Sequence, residues 1–160
     1  MKTFLAILLL SLLTGCAAGQ EYGPEYLKPP QGKVCFNKDC FSVELAVTPQ
    51  QLVQGLMYRK CLPYNKGMFF LFGQEDKYGF WMKNTLIPLD IIWINKDESI
   101  VFIKKNAQPC KEDLCPSISP DRKAMYVLEL NAGVCDDIRL KIGDRVTLML
   151  GREEKNGKNE

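Results

Sequence analysis

The sequence predicts a mainly β domain, a compact β-barrel or sandwich with one or two short helices. Three observations lead there. Apolar and polar residues alternate with a period of two along residues 41–48, short apolar runs recur between turn-forming residues, and only one helix start is well marked in 160 residues. The globular part spans residues 33–150, a length that suits a single domain. No internal repeat is visible.

The first element is a hairpin. In Val34-Cys35-Phe36-Asn37-Lys38-Asp39-Cys40-Phe41, Asn37-Lys38 suits a two-residue turn, so that Phe36 faces Asp39 and Cys35 faces Cys40. The cysteines then form a non-hydrogen-bonded pair, whose Cα atoms approach to about 4.5 Å, within reach of a disulfide. Beyond the turn, Phe41, Val43, Leu45 and Val47 alternate with Ser42, Glu44, Ala46 and Thr48 as in a half-buried strand. Thr48 as N-cap, Pro49 at the first helical position and Gln51 make a capping box, and Leu52, Val53, Leu56 and Met57 form the helix's apolar face. Further strand-like runs are 68–72, 80–83, 89–94, 100–104, 124–130 and 145–150, with Asn95-Lys96-Asp97-Glu98 as a hairpin loop. A second short helix is expected around residues 133–139, opened by Asn131 or Ala132. Residues 151–160 form a polar, solvated tail.

Ahead of the domain, Lys2 and the apolar run from Phe4 to Leu13 make residues 1–15 a signal peptide, too short for a spanning helix, which needs about 20 apolar residues. Leu13-Thr14-Gly15-Cys16 resembles a bacterial lipobox, which implies lipidation at Cys16 and a lipid-anchored place in the cell envelope. The alternative is an ordinary secretory signal whose Cys16 joins a disulfide. Residues 16–32 are rich in Gly and Pro and read as a flexible, lipidated tether. By resemblance to Gram-negative sorting rules, Ala17 after the cysteine favours the outer membrane.

Charge and composition exclude several chemistries. Loss of residues 1–15 removes one basic residue, Lys2, leaving a net charge of +1 from 20 basic and 19 acidic residues. That field is too weak for nucleic acid. The chain has no histidine, which rules out Ser-His-Asp and Cys-His catalysis and any histidine-ligated zinc. With Cys16 acylated, the remaining cysteines are even in number and outside the cytoplasm, and read as disulfides. Cys35 pairs with Cys40 on hairpin geometry and Cys110 with Cys115 on loop spacing, leaving Cys61 and Cys135 for each other by elimination. The competing zinc reading of two C-x4-C pairs suits a reducing compartment better. Met57, Met68, Met82 and Met125 could offer soft ligands to Cu(I), but each sits in an apolar stretch where methionine fills core gaps. No metal or cofactor is therefore expected.

The run Phe80-Trp81-Met82-Lys83-Asn84-Thr85-Leu86-Ile87-Pro88-Leu89-Asp90-Ile91 is specific. With Gly55-Leu56-Met57-Tyr58-Arg59, Gly67-Met68-Phe69-Phe70-Leu71-Phe72, Val127-Leu128-Glu129 and Gly143-Asp144, it resembles the domain-of-unknown-function family 192 over about residues 41–148. The resemblance implies a compact β-rich fold, often exported, and no agreed activity. It also implies an arginine where this chain has Leu52, and no cysteine at positions 61 and 135, which again suggests that those two are partners.

Arg59, Lys83, Asn84, Asp90 and Glu129 are polar residues inside apolar motifs. Their burial is costly unless paired, so Lys83 or Arg59 salt-bridged to Asp90 or Glu129 would account for them structurally. Alternatively they line a concave mouth and orient a polar ligand beside Trp81, Phe80 and Tyr126, while Asn84 also suits a turn. Three functions follow. The favoured one is a membrane-tethered module binding a small ligand or an envelope protein. The second is an envelope enzyme with Asp90 or Glu129 as acid or base and Lys83 or Arg59 stabilising an anion. The third is a structural envelope protein.

Overall fold

The computed structural model describes residues 30–112 and 114–150. The signal peptide, Cys16, the tether before residue 30 and the tail 151–160 lie outside the described residues. The elements, in order, are β1 (Gln31–Phe36), β2 (Asp39–Ala46), α1 (Pro49–Gln54), β3 (Lys66–Asp76), β4 (Leu89–Ile94), β5 (Ile100–Ala107), β6 (Ala124–Asn131), α2 (Val134–Asp137) and β7 (Thr147–Leu150). The domain is mainly β, as expected, although β1 begins at Gln31, two residues earlier than the expected boundary.

The strands form one seven-stranded sheet in the order β5-β4-β6-β3-β2-β1-β7. Only β2 and β3 run parallel, and the segment carrying α1 supplies the crossover that parallel pairing requires. The closed-barrel alternative is not realised. The edge strands β5 and β7 form no ladder with each other, and the sheet's ends touch only around a single bridge between Ser99 and Arg145. The ladder of β7 is made with β1 instead, so the sheet curls without closing and a sandwich-like description fits.

Local chemistry accounts for the elements that were predicted well. The register Phe36↔Asp39 and Cys35↔Cys40 is the expected one, with Asn37 at φ 53° in the turn and the Cys35–Cys40 disulfide across Cα atoms 4.1 Å apart. The Thr48–Gln51 capping box is complete, with Pro49 opening α1. Asn95 closes the β4–β5 loop by accepting from the amides of Asp97 and Ser99. Residues 80–83, in contrast, do not form a strand. They are held by isolated bridges, Phe80 to Ile118 and Lys83 to Cys110, against the loop stapled by the Cys110–Cys115 disulfide. The second helix is a single turn started by Gly133 at φ 95°, not by Asn131 or Ala132.

Alternate strand residues feed two cores, one on each side of the sheet. On one side Phe69, Ile92, Ile94, Leu128 and Leu130 pack with β1, β2 and the α2 region. On the other, Met68, Phe70, Ile91, Trp93 and Val127 are covered by Leu56 and Met82 from irregular segments. Burial on both faces explains why all six residues of β4 are buried and why its sequence shows no alternation. Gly67 belongs to this packing. A Cβ there would stand 2.6 Å from the Glu129 carbonyl oxygen, so only glycine lets β3 approach β6 this closely.

The first side also contains Asp90, fully buried. Its Oδ1 accepts from the amide of Asn106 at 2.8 Å, and its Oδ2 accepts from the amides of Gly133 at 3.1 Å and Cys135 at 2.8 Å. One carboxylate thus joins the end of β5 to the turn that opens α2, and the expected Lys83–Asp90 pair does not form. Three backbone donors do the work assigned to lysine. Nor is Cys61 bridged to Cys135. Cys135 is a free, fully buried thiol, and Cys61 is engaged otherwise. Burial first, and then the neighbouring Asp90 carboxylate, push the Cys135 thiol up from its ordinary value.

Asp90→Ala is expected to lower the unfolding free energy by about 3 kcal/mol or more in urea titrations, because three amides lose their acceptor. Lys83→Met should cost less than about 1 kcal/mol. Cys135 should resist alkylation in the folded protein and react once it is unfolded, as peptide mapping would show.

Candidate functional site

The second side of the sheet carries a row of Cα partners, Glu44 on β2, Met68 on β3, Glu129 on β6 and Ile91 on β4. Partners in register share a face, so two carboxylates and two apolar side chains point the same way. Arg59, from the turn after α1, reaches over this row and holds both carboxylate oxygens of Glu44 in a bidentate pair. Glu129 receives no such bond. It is 5% exposed, and its Oε2 is a buried polar atom without a hydrogen-bond partner.

Glu129 is one of the residues lining a cavity of about 250 Å³. Phe70 and Phe72 of β3 form one wall, Leu52, Gly55 and Leu56 of α1 and its C-terminal turn another, and Tyr78, Phe80, Trp81 and Thr85 a third. Each wall has a cause. Of the apolar face expected of α1, Leu52, Val53, Leu56 and Met57, the structure buries Leu56 in the core, while all four line the cavity and Val53 stays 67% exposed. Gly55 ends the helix at φ +48°, and a Cβ there would lie 3.3 Å from Phe70 Cζ and 3.8 Å from Glu129 Oε2, narrowing the space. The third wall is clipped down by Trp93, whose Nε1 donates to the Tyr78 carbonyl at 2.8 Å, and by the edge-to-face contact of Phe70 with Phe80.

Desolvation dominates the electrostatics here. Burial raises the Glu129 carboxyl to about 8, and the nearby Arg59 charge offsets this only in part. At pH 7 the group is therefore mostly a neutral acid. It can donate one hydrogen bond, or, once ionised, pair with a cation.

The sequence-predicted residues separate. Glu129 and Trp81 line the cavity, Trp81 at its mouth with 45% exposure. Arg59 lies beside Glu129 but is committed to Glu44. Lys83 sits outside, its Nζ 5.7 Å from the centroid of the Trp81 ring. Asn84 is the turn residue of the alternative reading, at φ 56°, and its carbonyl accepts from the Tyr58 amide at 2.8 Å to seal the rim. Asp90 and Tyr126 belong to the opposite side, Tyr126 stacked on Phe69. Asp90 therefore shares no cleft with Glu129, and Lys83 stands outside the lining. Leu52, Gly55, Phe70, Phe72 and Thr85 were missed as site residues. The Gly55-Leu56-Met57 motif and the parity of Phe70 and Phe72 were the available signals. Leu52, where the resemblance implies an arginine, supplies apolar surface instead.

An open, curled β-sheet with an apolar cavity built around one isolated carboxyl is the class of protein defined by this geometry. The chain belongs to the DUF192 family, described as an uncharacterized ACR, whose model matches residues 33–148. It is similar to a protein of Sinorhizobium meliloti 1021 described as a proposed transcription regulator, at 38% identity over 74% of this chain and 92% of that one, with a TM-score of 0.67. A protein of unknown function from Novosphingobium aromaticivorans DSM 12444 matches at 34% identity over 73% and 83%, with a TM-score of 0.65. No curated protein matches the chain.

Because the folded chain keeps a proton on Glu129 that the unfolded chain releases, stability should fall as pH rises from 4.5 to about 8. The limiting slope is about 1.4 kcal/mol per pH unit. Glu129→Gln should remove this contribution, so that variant and parent agree near pH 4 and the variant is the more stable at pH 9. Parallel curves in urea titrations across that range would contradict the assignment.

Proposed function

We propose that the protein is a lipid-anchored envelope lipoprotein whose domain binds a small, mostly apolar molecule in the Glu129 cavity. The observation that carries this reading is the buried, unpartnered Oε2 of Glu129, a residue in the lining of an apolar cavity. A buried polar atom left without a partner costs about 1–3 kcal/mol, and native folds retain few of them. A ligand bearing one polar group would remove that cost. Val53 and Trp81, apolar lining side chains left 67% and 45% exposed, suit entry of an apolar molecule from one side. Binding is favoured over acid–base catalysis because, among the described residues, no second carboxyl shares the cavity lining.

The anchor rests on Leu13-Thr14-Gly15-Cys16. Among the described residues no helix is long and apolar enough to cross a membrane, and the proposed lipid at Cys16 supplies the attachment.

Native mass spectrometry of the full chain purified from envelopes should show a retained small molecule. Leu52→Trp, which fills the cavity, should lose that molecule while its melting temperature stays within a few degrees of the parent. Equal retention by both proteins, or none by the parent, would count against the cavity. For the anchor, Cys16→Ser should release the protein from sedimenting membranes. A variant that still carries lipid would refute the lipobox reading.

A further inference from the structure

The charges around Glu129 narrow the chemistry of the occupant, provided the cavity is a binding site as proposed above. Each neighbouring element contributes a definable group. From β2 comes Glu44, from the turn after α1 comes Arg59, and from the segment between β3 and β4 come Tyr78 and Thr85. The facing residues of β3 and β4 are Met68, Phe70 and Ile91, all uncharged. Arg59 gives both arms to Glu44, and among the described residues no cation is hydrogen-bonded to Glu129 Oε2. Lys83 lies over the outer part of the site, not in the lining. An anionic ligand would therefore meet a carboxyl group and, among the described residues, no lining cation.

The walls favour a cation over a neutral molecule. Five aromatic rings, those of Phe70, Phe72, Tyr78, Phe80 and Trp81, line the cavity. Aromatic faces attract cations most strongly where water is excluded, and even at the exposed mouth the Lys83 ammonium stands over the Trp81 ring. A carboxylate beneath an aromatic wall is complementary to an ammonium group on a small apolar body. The volume, below the ~300–1,000 Å³ of drug-sized sites, limits that body to a small molecule.

We infer that the occupant is a small organic ammonium ion, whose nitrogen pairs with Glu129 and whose apolar part lies against the aromatic wall. Binding exchanges the proton held on Glu129 for the ligand's positive charge, and the proton passes to solvent. The reverse pH dependence marks a neutral ligand, which would use the protonated acid as a hydrogen-bond donor.

Isothermal titration of the full chain with benzylammonium, benzyl alcohol and phenylacetate tests this, since the three probes share one ring and differ in charge. Benzylammonium should bind best, with an affinity rising roughly tenfold per pH unit between pH 6 and 8 and net proton release in buffers of different ionisation enthalpy. Glu129→Gln should lose that binding and the proton release while folding normally. Leu52→Trp, which keeps Glu129 but fills the space, should lose binding of every probe. Preference for benzyl alcohol, weakening above pH 8, would overturn the ammonium inference and leave the binding cavity standing, as would preference for phenylacetate. Absence of binding by all three probes to the parent would overturn both.

Discussion

Strand parity decides what each buried carboxylate can do. Asp90 and Glu129 lie on paired strands one residue out of register, Asp90 opposite Leu130 and Ile91 opposite Glu129. Because side chains alternate along a strand, the two acids emerge on opposite sides of the sheet. Asp90 is aimed at the turn that opens α2 and is satisfied by three amides, so its charge is tied to architecture. Glu129 is aimed beneath α1 and meets aromatic and aliphatic carbon. The two share an ionisable group type and similar burial, and their roles differ because one side offers backbone donors and the other does not.

What could be read from the sequence was local. The Cys35–Cys40 hairpin and the Thr48–Gln51 cap depend on residues within a few positions of one another, and both formed as written. Glu129, Arg59 and Trp81 were legible as polar or amphipathic residues in apolar motifs. Their grouping was not, since it depends on the register between β2, β3 and β6, which the sequence does not reveal. The pairing of Lys83 with Asp90 failed for the same reason. Charge complementarity suggested a partner, whereas Asp90 was satisfied by amides 16, 43 and 45 residues away in the chain. Cys135 was paired by elimination, and elimination cannot see that a cysteine is buried among aliphatic side chains, where a thiol behaves as a small apolar group.

Arg59 illustrates how a single cation can fail to neutralise two acids. Bidentate geometry directs its guanidinium at Glu44, and only the longer-range field reaches Glu129. Desolvation then outweighs attraction, and the carboxyl keeps its proton into neutral pH. Had the guanidinium bridged both acids, Glu129 would be an ionised structural residue with no capacity left for a ligand. The orientation of one side chain therefore separates a salt-bridge network from a buried carboxyl that keeps its proton.

The walls of the cavity also differ in how firmly they are held. The segment from Tyr78 to Thr85 is tied by Trp93 Nε1, by reciprocal hydrogen bonds between Phe80 and Ile118, and by the Cys110 amide on the Met82 carbonyl. In α1, by comparison, six residues contain none that is buried, and an isolated helix of that length is marginal in water. Its capping box, the Gly55 turn and the Leu56 side chain anchored in the core keep it in place. The α1 side is held by Leu56 in the core, by the Arg59–Glu44 pair just beyond the helix and by the Tyr58 amide on the Asn84 carbonyl, whereas the aromatic side is tied directly to the sheet through Trp93. The aromatic wall is thus the more firmly tied of the two, and α1 the less.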